Sequence, residues 1–126
     1  MKFEPLADYL DGQGIVTKGQ TLFIHYMPQT IKIGALMLGK LTGTPIDPEL
    51  PGYYKTGFRI IVRHQDIVDG LAMANQIKDA LNMRNVELPG MSIRYIVPKH
   101  EPVLFPISEG DHLEISINFD AVYVAT

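Results

Sequence analysis

The feature that most constrains the fold is residues 58–81, FRIIVRHQDIVDGLAMANQIKDAL, where the spacing of apolar residues changes from two to about 3.6. In the first part, apolar and basic residues alternate as in a strand with one face in solvent: Phe58, Arg59, Ile60, Val62 and Arg63. In the second part, the apolar residues share one helical stripe: Ile67, Leu71, Ala74, Ile77 and Leu81. The stretch therefore predicts a strand that leads into an amphipathic helix, and such a helix needs a sheet to cover.

The start of this helix carries the expected polar signals. Asp66 precedes the first helical residue, where a side chain that accepts hydrogen bonds from backbone N–H groups is favoured. Asp69 lies in the first turn, where a carboxylate interacts well with the positive end of the helix. Gly70 costs roughly 1 kcal/mol relative to Ala inside a helix, so we expect packing around it to compensate. Nothing in this unit forms a catalytic pattern, which favours a scaffold or binding protein over an enzyme.

The composition indicates a protein with a single hydrophobic core. A chain of 126 residues with 46 % apolar and 20 % charged residues is ordinary for one globular domain, which we predict to span residues 1–126. The net charge is −3 and no basic run occurs, which argues against nucleic-acid binding along the sequence. There is no cysteine, so disulfides and thiolate metal sites are excluded. Neither a secretory signal nor a long apolar run is present, which favours the cytoplasm and predicts no membrane partner.

The rest of the chain supplies strands for the sheet. The additional elements predicted from periodicity and composition are a short helix at 3–11 and strands at 21–27, 31–38, 92–97 and 112–123. The connection PQT between the first two strands is short enough for a hairpin. Residues 82–90 are predicted to be a turn, and residues 103–105 a short edge strand. The fold class that follows is α+β, with two layers: a mainly antiparallel five-stranded sheet, one main helix packed on one face, and a short N-terminal helix.

Residues 39–57 form the longest stretch without a regular pattern, because they contain four Gly and three Pro. The stretch also carries apolar and aromatic residues, of which Leu50, Tyr53 and Tyr54 are the strongest candidates for a contact surface. An equally acceptable interpretation is that the loop folds back on its own core. The Pro-rich segment 98–109 is predicted to be a long extended connection, and the family resemblance described below makes it a second candidate contact.

Charged residues on the reverse face of the predicted sheet allow two interpretations. The residues in question are Arg59, Arg63, Arg94, Glu114 and Asp120. Opposite charges on neighbouring strands form cross-strand pairs that contribute about 0.2–1 kcal/mol each. The alternative is that these residues belong to a subunit interface.

Patterns that could carry chemistry are weak. Residues 34–40 fit the spacing GxxxxGK, but Leu41 stands where a phosphate-binding loop needs Ser or Thr. The four histidines lack the spacing of a zinc site. Residues 108–112, SEGDH, look catalytic but are better explained as a turn before a strand. We therefore predict no catalytic residue, no metal and no cofactor.

Two long segments resemble a known family. FRIIVRH with ANQIKDAL, followed by YIVPKHEPVLFPISEGDHLEISINFDAVY, resembles the tail terminator proteins of long-tailed bacteriophages, which are also called minor capsid or tail completion proteins. TLFIHYMP and IKIGALML are similar to the first half of that family. The resemblance covers roughly residues 21–126 and lies in the pattern of elements.

This resemblance implies a structural virion protein that forms a six-membered ring on the end of the tail tube. Such a ring ends tube polymerisation and presents a surface to the head-neck proteins, while DNA passes through its lumen without being recognised. The implied partners are therefore copies of the chain, the tail tube protein and a head-completion protein. Two alternatives remain from the sequence: a head-completion or stopper protein of the neck, and a small-ligand-binding α+β domain.

Overall fold

A computed structural model of the chain describes residues 1–106 and 112–126. The helices are α1 (Glu4–Gly12) and α2 (Ile67–Leu81). The strands are β1 (Leu22–Ile24), β2 (Gly34–Gly39), β3 (Tyr53–His64), β4 (Met83–Leu88), β5 (Met91–Pro98), β6 (Val103–Pro106) and β7 (Leu113–Ala125). The predicted α+β class, main helix and short N-terminal helix are confirmed. The predicted count of five strands is wrong, because the described residues form seven.

The sheet is mixed but mostly antiparallel, with the order β1-β2-β3-β7-β5-β4. Its centre is the β3–β7 pair, in which Tyr53 lies opposite Val124 and His64 opposite Leu113. The other side of β7 is divided between two strands: β6 pairs with its first part and β5 with its last part. The two long central strands thus fix the positions of the shorter ones around them.

Strand β1 departs from the predicted hairpin. It has three residues and pairs with β2 in parallel, with Leu22 opposite Ala35. His25 has a left-handed backbone with φ of 67°, which ends the strand soon after it begins. The prediction of a strand from 21 to 27 with a hairpin turn was therefore wrong.

Strand β4 occupies the stretch that was predicted to be a turn. Met83 and Val86 lie opposite Ile96 and Ile93 of β5, and Met83 is buried. The strand is hard to recognise because Asn85 has φ of 54° and interrupts the alternation of apolar residues.

Both helices cover the same face of the sheet, and the core lies between the layers. Asp66 caps α2 as predicted, since its Oδ1 accepts from the backbone N–H of Val68 at 3.3 Å. Gly70 is buried against the sheet: a Cβ there would lie 3.0 Å from His64 Cβ and 3.1 Å from Ile115 Cδ1. The prediction that Ile67 belongs to the buried stripe was wrong, because 47 % of it is exposed. Because Gly70 has no side chain, the helix can approach the sheet closely.

Candidate interaction surfaces

The open face of the sheet, opposite the helices, holds the charged residues predicted to be cross-strand pairs or interface residues. Arg63 lies opposite Glu114, with 3.3 Å between Nη2 and Oε2. Arg63 Nη1 also donates to the carbonyls of Pro28 and Ile31, each at 3.0 Å. The Arg63 side chain is only 13 % exposed. This guanidinium therefore fastens the β1–β2 connection to the sheet.

The other predicted charges are arranged differently. Arg59 Nε donates to Asn118 Oδ1 at 3.0 Å, because Asn118 is the residue opposite it on β7. Asp120 lies opposite Gly57 and comes within 4.0 Å of Lys99 Nζ. Arg94 is exposed at an irregularity of β5. Of the five charged residues, the structure therefore brings only Arg63 and Glu114 together as an ion pair.

An open cleft of about 780 Å³ lies on this face, and four cationic side chains are among the residues that line it. Lys40, Lys55, Arg59 and Lys99 surround it, with Asp120 as the carboxylate. Gly57 leaves space in its floor, where a Cβ would come within 3.2 Å of the Phe119 carbonyl oxygen. Sequence reasoning missed this cleft, since its cations come from three separate segments. Only the alternation of Lys55 with Arg59 along one strand gave a signal.

The loop at 40–52, between β2 and β3, carries three exposed apolar side chains, two of which are the most exposed large apolar side chains of the described residues. Leu41 is 105 % exposed, Ile46 81 % and Leu50 52 %. The loop has local hydrogen bonds, as from Gly43 N–H to the Lys40 carbonyl, and two long-range ones, from the Met1 amino group to Thr44 Oγ1 and from Ala125 N–H to the Gly52 carbonyl. The interpretation that the loop folds back on its core does not describe these three side chains. Leu41 also lines the cleft.

Tyr53 and Tyr54 were predicted to lie on that loop, and this placement was wrong. Both belong to β3, where the strand begins earlier than the Gly and Pro residues suggested. Tyr54 stacks on Tyr123 with ring centres 5.2 Å apart and packs against the core. Burial raises the pKa of Tyr123, and the neighbouring Tyr54 adds to this effect. Tyr54 is therefore part of the fold of the subunit.

The motifs that were considered for catalysis or ligand binding take part in the backbone structure. The GxxxxGK segment begins in β2, so its backbone is engaged in the sheet. His64 Nδ1 accepts from the Asp66 N–H at 3.0 Å. His100 lies between β5 and β6: its Nε2 accepts from the Asn118 N–H and its Nδ1 donates to the Glu101 carbonyl. Both rings complete backbone hydrogen bonding where strands end.

Within residues 1–106 and 112–126, no three His, Asp or Glu side chains are grouped to hold a metal ion. The turn predicted at 108–112 and the end of the segment 98–109 fall on residues 107–111, outside the described residues. Neither described helix has the length and apolar character needed to cross a membrane.

The described residues thus define a small two-layer α+β subunit whose distinctive features are exposed surfaces. The chain matches a family model described as bacteriophage tail terminator protein over residues 9–125, and it therefore belongs to that family. The resemblance seen in the sequence is confirmed, and with it the assignment to the structural proteins of the phage tail.

One solved structure supports the fold. The chain aligns with a protein in the "virion of native gene transfer agent (GTA) particle" with a TM-score of 0.66 and 14 % identity, covering 89 % of this chain and 83 % of the other. A second structure, 18 % identical over 94 % of this chain and 89 % of its own, has a TM-score of 0.43, which is too low to indicate a shared fold. The comparison with curated proteins gave no match.

Proposed function

We propose that copies of this chain form a ring, with six members expected, on the end of the phage tail tube. The ring stops tube polymerisation and provides the surface to which head-neck proteins attach. DNA passes through its lumen without specific recognition, and the role is structural, not catalytic. The observation that supports this most directly is the family match over residues 9–125.

The loop at 40–52 supports an assembly role independently. Monomeric proteins rarely expose several large apolar side chains together unless they form a contact surface. Leu41, Ile46 and Leu50 do so on one short loop. A closed ring needs two different patches on each subunit, because each copy contacts its two neighbours through different surfaces. We propose the loop as part of one patch.

The predicted interface residues divide into two groups on the structure. Leu50, Arg59, Arg94 and Asp120 are exposed and remain candidates for contacts between subunits or with the tube. The others contribute to the fold of the subunit, and their part in an interface stays a prediction: Tyr53, Tyr54, Arg63 and Glu114. Of the exposed group, Arg59 and Asp120 line the cleft, whereas Leu50 lies on the loop at 40–52 and Arg94 on β5.

Complementation in infected cells tests the proposal, since assembly of the virion in the host cytoplasm is part of it. The gene for this chain is supplied in trans to a phage that lacks its tail terminator and to one that lacks its head-completion protein. We expect rescue of tails of normal length in the first case alone. Rescue of the second defect alone would assign the chain to the head-completion class instead.

A further inference from the structure

We infer that the cationic cleft on the open face receives the acidic face of α1 from a second copy of the chain. This inference rests on the proposed function, because it names the contact through which copies join. The cleft adjoins the loop at 40–52, since Lys40, Leu41 and Thr42 belong to both. Cleft and loop therefore offer one continuous surface with apolar and cationic parts.

Charge distribution favours a second copy as the occupant. Among the described residues, the cleft holds four of the eleven Lys and Arg residues and one of the twelve Asp and Glu residues. Seven cations and eleven carboxylates remain on the other described residues. A chain with net charge −3 thus concentrates its positive charge in one place and presents negative charge elsewhere. Such complementary surfaces steer encounter and fix register between subunits.

Helix α1 presents the acidic surface that fits best. Glu4, Asp8 and Asp11 are exposed and follow the i, i+4, i+7 spacing of one helical face. They span roughly 10 Å at 1.5 Å per residue. Lys55 and Arg59, four residues apart on β3, span roughly 13 Å on the cleft. The two rows of charge therefore differ in length by only about 3 Å.

The position of α1 makes the proposed contact a head-to-tail one. Phe3, at the start of α1, packs on Phe58 on the covered face of the sheet, with ring centres 5.8 Å apart. The cleft lies on the opposite face. A contact between them joins two different surfaces of identical subunits, as a head-to-tail ring requires. Lys18, whose Nζ is 3.0 Å from Asp8 Oδ1, is an exposed cation on the acidic face and leaves it net negative.

Charge reversal tests the contact on the full chain. The variants are K55E/K99E in the cleft, D8K/D11K on α1, the combination of all four changes, and K2E/K32E as a control with the same charge change as the cleft variant. Sedimentation velocity and native mass spectrometry measure self-association, and circular dichroism checks folding. We expect the cleft and α1 variants each to raise the Kd of self-association by about tenfold or more. The combined variant should recover association, and the control should retain it.

Three results would overturn the inference. One is a folded cleft variant that associates as the wild type does. Another is a combined variant that folds but does not recover. The third is a cleft variant that associates normally but loses binding to a short DNA duplex, which would assign the cleft to a polyanion. Complementation of a tail-terminator defect is scored separately. A wild-type chain that complements this defect but does not associate through the cleft would reject this inference and leave the proposed function unaffected.

Discussion

Replacing the three apolar side chains of the loop by serine should abolish assembly and leave the subunit folded. In the triple variant Leu41→Ser, Ile46→Ser, Leu50→Ser, little buried area is lost, since the side chains are 105 %, 81 % and 52 % exposed. Surface substitutions of this kind change the free energy of unfolding by about 0.5 kcal/mol or less each. Thermal unfolding should therefore occur close to the wild-type temperature.

The effect on assembly follows from the same exposed fractions. Full burial of a Leu or Ile side chain contributes about 2 kcal/mol, and scaling this value by the exposed fractions gives on the order of 4–5 kcal/mol per contact. That corresponds to roughly a thousandfold in Kd. The free-energy cost of association offsets part of this contribution, but a third of the contribution would still change the Kd by about tenfold.

Sedimentation velocity and rescue of tail length in infected cells are the two assays for the loop variant. The control replaces Ile33 and Val68, which are 42 % and 72 % exposed and lie outside the loop, by serine. We expect the control to assemble and the loop variant to fail in both assays. Normal self-association and normal tails from the folded loop variant would refute the reasoning.

Three further predictions concern the fold on which these surfaces depend. Ile117→Ala, at a fully buried position of β7, should lower the free energy of unfolding in urea by about 2–5 kcal/mol; a loss below about 1 kcal/mol would contradict the core described above. Gly70→Ala should lower the melting temperature although Ala favours helices, because its Cβ would meet His64 Cβ at 3.0 Å; a higher melting temperature would show that the helix can shift freely. Arg63→Met should lower the free energy of unfolding in urea by about 2–4 kcal/mol, since two carbonyls and Glu114 lose their partner. Arg59→Met removes a single exposed hydrogen bond and should lower it by less than about 1 kcal/mol. Equal losses would refute the assignment of Arg63 as the structural clamp.

The sequence predicts the elements whose periodicity is local and complete. The strand-to-helix unit at 58–81 and the long alternation at 112–123 became β3 with α2 and β7, the central elements of the fold. In both, one set of side chains faces one core, so the pattern is visible without knowledge of the neighbours. The N-cap at Asp66 could be placed for the same reason.

The errors arose where a neighbour decides the conformation. The parallel pairing of β1 depends on the left-handed turn at His25 and on the clamp from Arg63, which is distant in sequence. Strand β4 is stabilised by pairing with β5 although Asn85 interrupts its pattern. Tyr53 and Tyr54 are extended because β7 pairs with them. None of these partners could be assigned from a local window.

The candidate interaction surfaces also divide into one that the sequence predicts and one that it does not. The sequence indicated the loop as a candidate contact surface through its mixture of Gly, Pro and apolar residues, and Leu50 is among its exposed side chains. The cleft could not be predicted, since Lys40, Lys55 and Lys99 follow or belong to three different strands. Only sheet order brings them together.

The most direct test of the account is the polymerisation of the purified tail tube protein of the same phage in the presence of this chain. Electron microscopy of the tubes gives their length distribution and shows whether a ring is present at the ends. We expect added chain to shorten the tubes and to prevent further growth when fresh tube protein is supplied. Tubes that continue to grow at the wild-type rate, with no density added at their ends, would contradict the claim that this chain ends tube polymerisation.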